Sequence, residues 1–66
     1  MTIEEIREKV KSIEGIGGMK VNERLFGSGF MELFDKSKIE DKKFARSILR
    51  ELKVDDESIK RIVPEQ

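Results

Sequence analysis

The sequence predicts an all-helical fold, and three observations carry that prediction. Apolar residues recur at spacings of three and four, as in Ile3, Ile6, Val10 and Ile13 and again in Phe44, Ile48, Leu49 and Leu52. No segment alternates apolar and polar residues with the period of a strand. Capping residues and glycines punctuate the chain where the stripes begin and end.

The first element opens at Thr2-Ile3-Glu4-Glu5, a capping box with Thr2 as N-cap and Glu5 reaching back, and Gly15 is expected to end it. A second helix is predicted from Gly18 to Phe26, with Gly27 as its terminal glycine and Gly27-Ser28-Gly29 as a turn. Residues 30–34 make a short apolar piece of one or two helical turns, in which Phe30, Met31, Leu33 and Phe34 read as core. Asp35 to Asp41 is polar and offers several caps. A fourth helix follows with Phe44, Ala45, Ile48, Leu49 and Leu52 on one face and Lys42, Lys43, Arg46 and Arg50 on the other. Lys53-Val54-Asp55 breaks it. Asp55 or Asp56 caps a last helix that points Ile59, Ile62 and Val63 inward and stops before Pro64.

Sixty-six residues make one domain, residues 1–66, with a first helix pair over 2–26, a connector over 27–39 and a second pair over 40–63. A chain this short buries only about 60% of its unfolded surface, so each large apolar residue is needed inside. Cysteine and histidine are absent, which removes disulfides, thiolate metal sites and the usual acid–base group at neutral pH. No nucleophile–base pair can be assembled, so a binding protein without cofactor or metal is expected rather than an enzyme. No apolar run approaches the roughly 20 residues of a membrane span, and no signal peptide opens the chain, which makes the cytoplasm the default compartment.

Fourteen basic residues balance fourteen acidic ones. The distribution is uneven: Lys36 to Lys53 holds seven basic and three acidic residues, whereas Asp55, Asp56 and Glu57 follow it. A polarised surface is expected. A solvated Lys/Glu-rich helix accounts for the same charges.

The most specific segment is Ile13-Glu14-Gly15-Ile16-Gly17-Gly18-Met19-Lys20-Val21, followed by Leu25-Phe26. Gly15 and Gly17 are expected to take backbone angles that side chains forbid, so that the chain reverses in few residues and Ile16 pins the two helices. Amides of the turn and of the next helix's first turn then point outward and offer an anion site. The same glycines also suit a plain helix–helix turn with no ligand.

The segment resembles the helix-hairpin-helix motif of proteins that hold DNA by its backbone. Ile13, Gly15, Ile16, Gly17, Val21, Leu25 and Phe26 stand at the matching places. Glu14 and Gly18 replace frequent prolines, Lys20 lies one place after the family's usual lysine, and Val21 is larger than the usual alanine. The paired form of that domain has five helices, so the resemblance implies a compact (HhH)2-like fold in which Lys53-Val54-Asp55 is a degenerate second hairpin. It implies a non-sequence-specific module binding the phosphate backbone of nucleic acid, DNA before RNA, through Gly15, Ile16, Gly17, Gly18, Lys20 and Arg24.

Other patterns carry less. Residues 48–62 also fall at helix-turn-helix spacings, but Leu49 and Lys53 stand where small residues are usual, and Asp56 and Glu57 would face the bases. Ser28 lies between glycines rather than after the Asp that a phosphopantetheine attachment needs. Residues 35–40 lack the ligand and glycine of a calcium loop. The alternative function is a protein-interaction or self-association module, with Phe30, Met31 and Phe34 as an exposed docking patch.

Overall fold

The computed structural model describes residues 2–64, and among them every regular element is helical. The order is α1 (Ile3–Lys11), a 3-10 turn (Ile16–Gly18), α2 (Val21–Ser28), α3 (Met31–Glu40), α4 (Lys42–Glu51) and α5 (Asp56–Ile62). None of these helices is long and apolar enough to cross a membrane.

α4 is the hub, packing against α1, α3 and α5. Its apolar stripe puts Ala45, Ile48, Leu49 and Leu52 at zero exposure. Around them close Ile6 and Val10 from α1, Leu25 from α2, Phe30 and Phe34, Val54, and Ile59 and Val63 from the C-terminal end. Burial of these stripes, rather than helix propensity, holds such short helices together.

The helix ends follow from local chemistry. Thr2 and Glu5 form the expected capping box, with reciprocal hydrogen bonds of 3.0 and 3.2 Å. Asp41 accepts from the Phe44 amide and Asp55 from the Ser58 amide and hydroxyl, so each caps its helix. α1 stops at Lys11, not at Gly15, because the Ser12 hydroxyl donates to the Lys9 carbonyl and competes for the helix's terminal acceptors.

α2 and α4 end in the same way. Gly29 (φ 81°) and Lys53 (φ 65°) are left-handed. The next residue's amide reaches back five positions, Phe30 to Leu25 and Val54 to Leu49, both over apolar pairs buried in the core. This is the Schellman arrangement. Gly29 therefore replaces Gly27 as the terminal glycine, and Gly27 and Ser28 lie inside α2. The expected short connector is likewise corrected. α3 runs ten residues to Glu40, because Phe34 and Ser37 share a buried face and Lys36, Lys38 and Glu40 favour a helix. One residue, Asp41, separates it from α4.

Arg7 of α1 grips Glu51 of α4 with two bonds, at 2.9 and 3.2 Å. This holds the Glu51 carboxyl below its usual range. Thr2 does the same to Glu5, and Ser58 to Asp55. A carboxylate that titrates lower folded than unfolded stabilises the fold fully above its unfolded pKa, near 4, and that contribution is lost as pH falls through the folded value. The urea midpoint should therefore be flat from pH 7 to about 5 and drop toward about pH 3, with a smaller drop in Glu51→Gln. A midpoint that rises on acidification would contradict this origin.

Candidate nucleic-acid interface

The glycine turn is built only partly as its sequence suggests. Gly15 is left-handed, with φ 72° and ψ 17°, and Ile16 is buried in the core as expected. Gly17 is not left-handed: it lies in the 3-10 turn with ordinary angles, and a side chain there would meet nothing within 4 Å. The reversal is spread over a 3-10 turn closed by Gly18 N–H to the Gly15 carbonyl (3.0 Å) and Met19 N–H to the Ile16 carbonyl (3.1 Å). Only one residue then needs the special conformation.

The first of those bonds removes Gly18 from the candidate donors. The amides of Gly15, Ile16 and Gly17 have no hydrogen-bond acceptor among the described residues, and both glycines are exposed. α2 begins at Val21, three residues later than the sequence suggested, so its first turn is not continuous with the glycines. Lys20 precedes it with an exposed side chain. Its own amide donates to the Glu23 carboxylate at 3.2 Å, half of a capping box that an ammonium cannot complete. Glu14 and Glu23 both put negative charge beside the turn.

Arg24 is the largest correction. Its Nε donates to the Met19 carbonyl at 2.9 Å, and its Nη1 to the Leu52 and Lys53 carbonyls at 3.2 and 2.8 Å. A longer contact of 3.5 Å reaches the Gly17 carbonyl. The side chain is thus spent on protein oxygens and ties the glycine turn to the turn after α4. A guanidinium suits this work because its planar fork presents several donors at once.

The tie brings forward two cations that local sequence did not mark. Lys11 and Lys53 line a cleft with Arg7, Val10, Ile13, Ile16 and Glu51, between the end of α1 and the two turns. Their proximity is a product of tertiary packing, and only the excess of lysine up to Lys53 hinted at it. The basic face of α4 is correspondingly weaker than expected. Arg46 is half-buried, with Nη1 enclosed and no hydrogen-bond partner among the described residues, and Arg50 lies 3.7 Å from Asp56. Among the described residues no group of three or more acidic side chains could hold a metal ion.

The expected docking patch also changes. Phe30 and Phe34 are core residues, at 2% and 3% exposure, and only Met31 is partly accessible. The open aromatic is Phe26, which stands 80% exposed at a shallow groove with Met19, Asn22, Glu23, Gly27 and Met31.

The chain matches no protein-family model, and no curated protein or solved structure matches it at a significant level.

The two glycines should respond differently to substitution. Gly15→Ala forces a side chain into the left-handed region and should cost about 1–2 kcal/mol. Gly17→Ala should change stability by less than about 0.5 kcal/mol or raise it slightly, since its angles are open to alanine. Urea denaturation of both variants checks this, and equal losses would show that the turn is not built as described.

Proposed function

We propose that this protein is a small module that binds the sugar–phosphate backbone of nucleic acid without reading bases, with the Gly15–Gly17 turn as its contact. The observation that carries the reading is the exposed turn whose Gly15, Ile16 and Gly17 amides lack an internal acceptor, beside a cleft lined by Lys11 and Lys53. Unpaired turn amides suit a phosphate oxygen, and the lysines neutralise its charge. Lys20 adds a third cation at the start of α2. Arg24 serves by position, holding the two turns together behind the site.

The resemblance to a helix-hairpin-helix pair supports the reading in one further respect. Both turns place a left-handed residue, Gly15 or Lys53, directly before a buried apolar one, Ile16 or Val54. They differ beyond that, since five residues separate Gly15 from α2 but two separate Lys53 from α5.

Binding should be weak, because few cations converge and Glu14 and Glu23 oppose them. Fluorescence anisotropy with a labelled duplex at low ionic strength should show sequence-indifferent binding with a log–log salt slope of about −2 to −4. Lys53→Gly is the informative variant. It removes a charge while relieving a left-handed lysine, so the fold should be at least as stable while the slope becomes shallower by about one. No binding at high micromolar protein, or a slope unchanged by Lys53→Gly and by Lys20→Glu, would overturn the assignment.

A further inference from the structure

The cleft beside the glycine turn is lined by three cations, Arg7, Lys11 and Lys53, and by one carboxylate, Glu51. Lys53 has no carboxylate partner among the described residues. Lys11 pairs with Glu8 at 3.1 Å, an open contact within α1. Arg7 is held more closely. Its Nε donates to Glu51 Oε1 at 2.9 Å and its Nη2 to Oε2 at 3.2 Å, so one edge of the guanidinium is fully taken by a carboxylate from α4. Glu4 and Glu8 act on Arg7 through charge alone.

The two partners are unequally placed. The Arg7 side chain is 54% exposed, whereas that of Glu51 is 20% exposed and belongs to the helix at the hub of the core. Glu51 is thus the fixed member and Arg7 the accessible one. A carboxylate and a phosphodiester each offer a guanidinium two oxygens for parallel hydrogen bonds. Glu51 therefore fills the edge of Arg7 that suits a phosphate, offsets its charge, and sets a negative charge of its own in the wall of the cleft. An arginine is otherwise the better cation for this work, because its planar fork matches a phosphate where a lysine offers only a point charge.

We propose that Arg7 is a phosphate ligand held in reserve by Glu51, so that Glu51 sets how weakly this cleft holds a nucleic-acid backbone. The inference rests on the phosphate reading of the glycine turn, and it assigns the control of affinity at that same site to one carboxylate. Removing the charge of Glu51 releases a guanidinium into the cleft without disturbing the apolar core, since neither member of the pair belongs to it.

The test is the binding of a labelled duplex to Glu51→Gln, to the double variant Arg7→Gln/Glu51→Gln, and to Glu40→Gln. Glu40 ends α3 next to the start of α4, roughly 15 Å from Glu51 along that helix, and controls for loss of one negative charge anywhere on the surface. Urea melts at pH 7 should show all three variants folded, because glutamine keeps a hydrogen-bonding group at each position. Glu51→Gln should bind about tenfold more tightly than wild type at low salt, the value of one charge-assisted hydrogen bond. Its log–log salt slope should steepen by about one, as one further phosphate is neutralised. The gain should vanish in the double variant, and Glu40→Gln should reproduce little of it. Binding that depends on Lys53 but is unchanged or weakened by Glu51→Gln would overturn this inference alone. So would a gain that survives in the double variant or is matched by Glu40→Gln. A duplex bound by neither wild type nor Glu51→Gln at high micromolar protein would overturn the phosphate reading and this inference together.

Discussion

Arg24 bonds to main-chain oxygens that belong to two turns about thirty residues apart, Met19 in the first and Leu52 and Lys53 in the second. Carbonyls at the end of a helix lack partners within it and carry the negative end of its dipole. One guanidinium satisfies oxygens after α4 and, with the same plane, closes the approach to α2. Lys53 occupies a left-handed conformation that costs a lysine roughly 1–2 kcal/mol. Its carbonyl accepts the shortest of Arg24's bonds, so the same contact helps to hold the strained residue in place.

The candidate surface inherits its shape from that tie. Joining the turns sets Lys53 beside the cleft of Lys11 and Ile16, and so places a cation from one end of the chain next to a turn from the other. It also withdraws Arg24 from any ligand. What the proposed phosphate site offers is geometric more than electrostatic: a few unpaired amides with Lys20, Lys53 and Lys11, the last paired with Glu8 at 3.1 Å, against Glu14 and Glu23 nearby and Glu51 in the cleft. The neutral total charge of the chain agrees with a modest, salt-sensitive contact and not with a strong one.

Much of the fold was legible because it rests on local chemistry. The stripes of α1 and α4, the Thr2 capping box, the Asp55 cap and the inward Ile16 each follow from a few neighbouring residues. The extent of α3 was not legible, since a polar run with several possible caps reads equally as a loop until Phe34 and Ser37 find a core to enter. Gly27 and Gly29 compete for one terminus, and the choice falls to Gly29 because Phe30, the residue after it, can then pack on Leu25. Of the candidate site, Gly15 has the expected left-handed backbone and Ile16 the expected burial. Gly17, Gly18 and Arg24 do not have the expected roles, because a 3-10 turn and a long-range clamp use their conformational or bonding capacity. Which phenylalanine stays outside is a tertiary outcome too: Phe30 and Phe34 fall on the buried side, and Phe26, next to buried Leu25, is turned outward.

If Arg24 couples the two turns, they should open together. Native-state hydrogen exchange on the wild-type chain and on Arg24→Lys, which keeps the charge but loses the fork, tests this most directly. The amides of Gly18 and Met19 in the first turn and of Lys53 and Val54 in the second should lose protection by a similar factor, while Ile48 and Leu49 in α4 keep theirs. Loss confined to one turn, or no loss in either, would show that the turns are held independently and that Arg24 is not the constraint on which the fold depends.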